Sequence, residues 1–328
     1  MTSDAPVITG IILAAGRGTR MEPLSSRVPK ALLPVLGRPL FGIIAGKLLR
    51  EGASSLHANL FHLGGRIREY AALEGLPVTF HQETELLDTG GGIGNMAGAI
   101  PRGGIALIHN CDVISSVGFA QAIETHRASG ALFTMILAGG REERASGPEG
   151  SREWRLPPPH VALSGAGEIK GFAGRGAPEG AVMLGYTGMA VMSHGAARYF
   201  PVGRKAGLVD ILISMIEKRP ASVMGYLPGV EAGSPSWAEA GTPSAYIDLH
   251  RRILSEREFF DPALEPPPLP LYAGDGCAID PLAEWKGFLY AGRNSSIGRG
   301  SRLEDCVLLD GASVAPGTSA RSRIFFQG

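Results

Sequence analysis

The sequence predicts an α/β protein with a mostly parallel sheet flanked by helices, followed by a short C-terminal left-handed parallel β-helix. Three observations carry that expectation. Apolar runs that read as buried strands alternate with helix-like segments through the first half of the chain. A glycine-rich turn, Gly16–Gly18, follows the first of those runs. Beyond a proline-dense stretch the texture changes to a six-residue rhythm of apolar and small residues.

Taken in order, Val7–Ala15 is a continuous apolar run, as a strand buried on both faces requires. Leu40, Ile43, Ile44, Leu48 and Leu49 recur at helical spacing, and Gly52 is placed to end that helix. Ser55–Phe61, Val78–His81, Ile105–His109 and Leu132–Leu137 read as further strands, and Val117–Arg127 as a helix. In such sheets ligands bind at the C-terminal ends of the strands. Residues 141–160 are polar and rich in glycine and proline, and are expected to form a long loop of the kind that serves as a lid. Ala181–Met192 returns to strand character, while Leu208–Glu217 and Ser244–Leu254 look helical.

Asp261–Pro270 is proline-dense and reads as a linker. It divides the chain into a larger domain over 1–260 and a hexapeptide-repeat unit over 271–328. Ile297, Leu303 and Leu309 lie six apart, and Ser301, Val307, Ser313 and Ser319 form a second row. A hexad repeat suits a triangular coil, each hexad forming one flat side.

Composition excludes several classes. Lys+Arg and Asp+Glu are both 31, so there is no basic excess and no nucleic-acid partner is expected. No apolar stretch is long enough to cross a membrane, and the N-terminus lacks the basic start of a signal peptide. Cys111, Cys277 and Cys306 are far apart and match no zinc spacing; they read as free thiols of a cytoplasmic protein. His57, His62, His81, His109 and His126 are scattered and are expected to be structural or exposed rather than general bases.

The chemistry concentrates in Leu13–Lys30, LAAGRGTRMEPLSSRVPK. Gly16 and Gly18 remove Cβ atoms where a backbone must approach a ligand, and successive N–H groups there suit an anion. Arg20 offers a planar fork for phosphate oxygens, and Lys30, after Pro29, a compact second charge. The spelling is neither a GxxxxGK[ST] P-loop nor a GxGxxG dinucleotide fingerprint, because position 21 is Met21.

This segment resembles the opening motif of the sugar-1-phosphate nucleotidyltransferases. Leu13, Gly16, Gly18, Arg20, Pro23, Leu24, Pro29, Lys30, Pro34, Val35 and Pro39 fill it in order, with Met21 in place of leucine. The resemblance implies a Rossmann-like, nucleotidyltransferase type A fold. It implies an enzyme that joins a nucleoside triphosphate to a sugar-1-phosphate and releases pyrophosphate, with Mg²⁺ as cofactor. By position, Arg20 would hold the β and γ phosphates, Lys30 would neutralise the α-phosphate region, and Ala14, Ala15, Gly16, Gly18 and Thr19 would face the nucleotide. In Glu83–Gly94 (ETELLDTGGGIG), Gln82 and Gly90 are the candidates for base contact, with Gly90, Gly91 and Gly92 read as a loop pressed against a flat ring. That spelling is similar to the N-acetylmuramate-1-phosphate uridylyltransferases and the mannose-1-phosphate guanylyltransferase-like proteins, which makes UTP or GTP the favoured donor.

Asp112, after the apolar run Ile105–Ile108, matches the family's metal-holding aspartate. Trp237–Pro243 (WAEAGTP) resembles WxDxGTP, with Glu239 standing for the second metal ligand. Glu168–Arg175 (EIKGFAGR) resembles a strand ending in FxEKP. Arg175 takes the lysine position beside the sugar phosphate, while Gly174 replaces the glutamate. Gly188, in Tyr186–Thr187–Gly188, and Arg152, in the expected lid, are further candidates for the sugar phosphate. A cytidylyltransferase acting on a phosphorylated alcohol and a nucleotide-sugar-binding regulatory subunit are the rival readings. The short solenoid, with its exposed end, is expected to mediate homo-oligomerisation.

Overall fold

The computed structural model describes residues 6–139, 143–145, 152–154, 157–228 and 235–327. The chain opens with β1 (Ile8–Leu13), a short ladder of β2 (Pro34–Val35) and β3 (Arg38–Pro39), and α1 (Leu40–Arg50). Then come β4 (Ser55–Leu60), α2 (Gly64–Leu73), β5 (Val78–Gln82), α3 (Asp88–Ala97) and β6 (Ile105–Asn110). β7 (Val113–Ser115), α4 (Ala120–Ser129), β8 (Phe133–Ala138) and a hairpin of β9 (Glu143–Ala145) and β10 (Arg152–Trp154) follow. The larger domain ends with β11 (Pro159–Leu163), β12 (Ile169–Phe172), β13 (Val182–Ser193), α5 (Leu208–Lys218), β14 (Val223–Tyr226), β15 (Trp237–Glu239) and α6 (Pro243–Leu254).

The central sheet has the order β12-β11-β13-β6-β1-β4-β5, with β8 and β14 branching from β13. β6, β1, β4 and β5 are mutually parallel, and β13 joins antiparallel to β6. Successive residues of β1 face opposite layers. Ile11 packs with Ile93 and Met96 of α3 and with Leu212 of α5, and Ile12 with Phe41, Ile44 and Leu48 of α1. That double burial is why the strand is apolar throughout; truncating either isoleucine to alanine costs about 2–5 kcal/mol.

Boundaries shift where tertiary contacts intervene. The helix expected over Val117–Arg127 begins at Ala120, because the preceding backbone is engaged elsewhere: Val117 N–H bonds Ser115 Oγ and Phe119 N–H bonds Glu51 Oε2. Gly90, Gly91 and Gly92 lie in α3, not in a loop. The helix rests directly on the 201–207 backbone. A Cβ at Gly90 would sit 2.7 Å from the Ala206 carbonyl oxygen, and one at Gly91 would strike the Arg204 carbonyl oxygen. Close backbone approach at Gly90 and Gly91 and the Asn59 side chain at Gly92, rather than a ligand ring, demand these glycines.

The C-terminal unit is a short solenoid of parallel strands: β16 (Leu271–Ala273), β17 (Ala278–Ile279), β18 (Glu284–Ala291), β19 (Ser296–Ile297), β20 (Arg302–Leu308), β21 (Ser313–Val314), β22 (Ser319–Arg321) and β23 (Ile324–Phe325). Ala278 stacks on Ser296, a step of 18 residues, but Ser296 stacks on Ser313, a step of 17. The register shift lies between Lys286 and Leu289 of β18. Opposite it β20 carries one residue fewer, so later inward positions arrive one residue early: Val314, not Ala315, stacks on Ile297 and is buried, and Ser313 of the second row is left exposed. The second hexad row read from sequence therefore breaks at that point.

Asp261–Pro270 connects the two units but is not a free tether. Arg50 Nη2 bonds both Asp261 carboxylate oxygens, at 2.7 and 2.6 Å, and Leu264 is buried. One hydrophobic cluster spans the junction, uniting Met21, Leu24, Leu33 and Leu40 with Tyr246 and Ile253 and with Phe288, Tyr290, Val307 and Leu309.

Candidate active site

β1 ends with Leu13 between Asn59 of β4 and Asn110 of β6, and the chain then leaves the sheet. Ala14 N–H donates to Asn59 Oδ1 at 2.8 Å, which fixes where the loop begins. Gly18 is left-handed (φ 68°), the backbone state that glycine adopts freely. It launches a 3₁₀ turn over Thr19–Met21, and Met21 and Leu24 plug the turn into the core. A Cβ at Gly16 would meet nothing within 4 Å, so no protein atom explains that glycine.

These residues border a cleft of about 310 Å³ at the C-terminal ends of β1 and β6, in the size range of small-molecule sites. Ala14, Ala15, Gly16, Gly18, Thr19, Arg20, Lys30 and Asp112 all line it. Lys30 opens a further 3₁₀ turn after Pro29 and forms an ion pair with Asp112, which stands in the turn from β6 to β7. Arg20 Nη2 donates to Glu239 Oε1 at 2.6 Å. β15 runs antiparallel to β7 with Glu239 opposite Val113, and Ala240 N–H donates to the Asp112 carbonyl. Asp112, just before β7, and Glu239, at the end of β15, are therefore held on paired segments, each beside a cation.

Other predicted residues stand elsewhere. Gln82 does not line the cleft; its amide donates to the carbonyls of Leu60 and Glu83, both at 3.2 Å. Gly90 does not line it either, and its N–H is engaged by the Ala206 carbonyl at 2.9 Å. Gly188 (φ 81°) interrupts the pairing of β13 with β8 and packs on Asn110, a cleft residue; a Cβ there would sit 2.9 Å from Asn110 Nδ2. Arg175 lies in the turn after β12 and pairs with Asp210 in the first turn of α5, outside the cleft lining. Arg152 is in β10; its side chain and the neighbouring Ser151 lie outside the described residues.

Sequence reasoning assigned no role to Asn59, Asn110, Glu83, Asp88, Thr89 or Gly241, all of which line the cleft. Asn59 Nδ2 donates to Glu83 Oε1 (2.7 Å), and Leu87 N–H to Glu83 Oε2 (3.1 Å). A buried carboxylate thus ties the start of the phosphate loop to the start of α3. Asn59 and Glu83 meet only because β4 and β5 are neighbours, so no local spacing signals the pair.

The histidines are structural. Among the described residues none lines the cleft. His126 joins Thr134 Oγ1 and Ser193 Oγ, and burial lowers its pKa to about 4. His109 is buried beside the Asn110 carbonyl, and burial lowers its pKa to about 3. All three cysteines are free, and burial pushes the Cys111 thiol up. Among the described residues no helix is long and apolar enough to cross a membrane.

Among the described residues no three His, Cys, Asp or Glu side chains cluster as a metal cage. Two carboxylates on paired segments, Asp112 in the turn before β7 and Glu239 at the end of β15, do suit a hard divalent cation of the Mg²⁺ kind. Such an ion takes one or two protein carboxylates and completes its shell with phosphate oxygens and water.

Residues 9–147 match the family described as Nucleotidyl transferase. Over 321 residues, 94% of this chain and 82% of the relative, the sequence is 26% identical to the mannose-1-phosphate guanylyltransferase of Mycobacterium tuberculosis. Together these matches support a sugar-1-phosphate nucleotidyltransferase, with a nucleotidyl transferase domain over residues 9–147. The N-acetylmuramate alpha-1-phosphate uridylyltransferase of Neisseria meningitidis serogroup B is 36% identical over 121 residues, 35% of this nucleotidyltransferase and 51% of that protein. Among solved structures, HddC from Yersinia pseudotuberculosis complexed with GMP-PN superposes with a TM-score of 0.54 at 17% identity, covering 73% of this chain and 96% of that one, a likeness of fold.

Proposed function

We propose that this nucleotidyltransferase moves a nucleotidyl group from UTP or GTP to a sugar-1-phosphate, using the cleft bordered by Ala14–Arg20, Lys30 and Asp112. The convergence of the anion-suited loop, Arg20, Lys30 and Asp112 on that one cleft, with Glu239 paired to Arg20 though not itself in the lining, carries the reading. A phosphate oxygen of the sugar-1-phosphate forms the new bond to the α phosphorus as the bond to the β-phosphate oxygen breaks, and pyrophosphate leaves with the electron pair. The nucleophile is already an anion near neutral pH, which is consistent with a cleft lined by no histidine. Catalysis is then positioning and charge neutralisation.

In this proposal Ala14, Ala15, Gly16, Gly18 and Thr19 offer backbone to the nucleotide. Arg20 takes the β and γ phosphates and Lys30 the α phosphate. Asp112 and Glu239 would hold Mg²⁺, which would supply Lewis-acid charge at the phosphate oxygens. Glu83 replaces Gln82 as the candidate base reader, because it is Glu83 that lines the cleft. Its carboxylate only accepts hydrogen bonds, which suits the ring N–H of uracil or guanine. Gly188 stands beside Asn110 on the sugar side, and Arg175 and Arg152 remain proposed phosphate contacts. A cytoplasmic location, and self-association through the open end of the β-helix, belong to the same proposal.

Pyrophosphate release with Mg²⁺, scanned across the nucleoside triphosphates and a panel of sugar-1-phosphates, tests it. Turnover with UTP or GTP and one sugar phosphate is expected. Turnover with phosphocholine and CTP instead, or nucleotide binding with no turnover across the panel, would overturn it.

A further inference from the structure

We propose that the β-helix positions the active site: Tyr290 and Tyr272, acting through Gly37, hold the hairpin that sets where Lys30 stands. The inference rests on the role proposed above for Lys30. The turn that begins at Lys30 runs without a break into the β2–β3 hairpin. Leu33 N–H donates to the Lys30 carbonyl, Leu40 N–H to the Leu33 carbonyl, and Val35 pairs with Arg38. The two residues at the tip, Leu36 and Gly37, are both left-handed (φ 46° and 74°). A two-residue hairpin turn of this type needs positive φ at both positions. At a leucine that conformation persists only where the surroundings over-determine it.

The surroundings that fix it come from the far end of the chain. Gly37 N–H donates to Tyr290 Oη at 3.2 Å. The Tyr272 and Tyr290 rings stack, with centroids 4.9 Å apart and planes 8° apart. A Cβ on Gly37 would land on Tyr272 Oη. From the other side Tyr246 Oη donates to the Pro34 carbonyl. The turn that carries Arg20 leans on the same support, since Met21 and Leu24 share a core with Phe288, Tyr290 and Val307. A β-helix that served only stability or self-association would have no need to touch this hairpin by a hydrogen bond to its tip.

Tyr290→Phe keeps the stacked ring and removes only the hydroxyl. With one hydrogen bond lost, kcat for pyrophosphate release should fall about 3–10-fold with KM for the triphosphate within about twofold, because Lys30 acts on charge that develops in the reaction. The melting temperature should stay within about 3 °C. The deciding readout is a double-mutant cycle with Lys30→Ala, in whose background Tyr290→Phe should cause no further loss. Gly37→Ala, which drives the tip off Tyr272, should give a larger kcat loss that the Lys30→Ala background also absorbs. If Tyr290→Phe turns over like the wild type, or multiplies the Lys30→Ala loss unchanged, the positioning role is wrong while the assignment of Lys30 stands. If Lys30→Ala itself keeps wild-type turnover, the site assignment fails and takes this inference with it.

Discussion

His250 sits where the larger domain meets the β-helix, and its protonation should loosen that joint. The ring is fully buried on α6, 4.5 Å from Tyr290, 4.8 Å from Tyr246 and 6.3 Å from Phe288, centroid to centroid. Desolvation lowers its pKa from 6.5 to about 3. The unfolded chain therefore accepts a proton near pH 6.5 that the folded chain refuses until about pH 3. Stability from this residue is complete above the unfolded pKa and declines as pH falls through the window between the two. The slope is about 1.4 kcal/mol per pH unit, so His250 alone should account for about 2 kcal/mol between roughly pH 7 and pH 5. His109 and His126, lowered to about 3 and about 4, add slopes of the same sign in the same window. Denaturant unfolding of the wild type and His250→Phe at both pH values isolates the term, because the variant keeps the other two histidines. The wild type should lose about 2 kcal/mol more than the variant. Equal losses would mean that the imidazole ionises within the fold and that the aromatic joint does not exclude water.

Gly16→Ala meets no protein atom and should leave stability within about 0.5 kcal/mol while weakening triphosphate binding about tenfold or more; calorimetric titration would read the change, and unaltered affinity would remove the loop from the site. Gly91→Ala, whose Cβ strikes the Arg204 carbonyl, should instead cost about 1–3 kcal/mol in denaturant unfolding. Gln82→Ala should leave relative kcat/KM across the triphosphates within about twofold, whereas Glu83→Gln should blur base selection by about tenfold; the reverse pattern would restore Gln82 as the base reader. Lys47 is buried against the Ser115 carbonyl, and desolvation lowers its pKa to about 8. Stability should therefore be depressed below about pH 8 and recover toward pH 10.5, and Lys47→Met should stabilise the protein near pH 7 by about 1–3 kcal/mol, read as a rise in melting temperature.

Much of the site was legible because it is written in consecutive residues. The run from Leu13 to Lys30 encodes its own geometry, a buried strand, a left-handed glycine and two short turns, and the structure brings Arg20, Lys30 and Asp112 to the cleft that run predicts. WAEAGTP marked Glu239 in the same way, and the structure puts it at the end of β15, opposite Val113 of β7 and paired with Arg20. What could not be read was contact between distant segments. Gly90 and Gly91 carry no mark that the backbone of Arg204–Gly207 lies against them, so a helix looked like a loop. Glu83 and Gln82 are adjacent, and which of them faces the cleft depends on strand pairing with β4. The hexad rhythm revealed the β-helix but not the one-residue register shift that puts Val314 inside in place of Ala315. Nor did the proline-dense stretch disclose that Asp261 is clamped by Arg50 and that both units share one core.

The most direct test of the central claim is pyrophosphate release by the wild type, Lys30→Ala and Asp112→Asn, with Mg²⁺ and the best triphosphate and sugar-1-phosphate pair. The wild type should turn over, and each variant should lose about 100-fold or more in kcat, Lys30→Ala because it removes positive charge that faces the reacting phosphates and Asp112→Asn because it removes a carboxylate that would hold Mg²⁺. Wild-type turnover that survives both substitutions would place the chemistry outside this cleft.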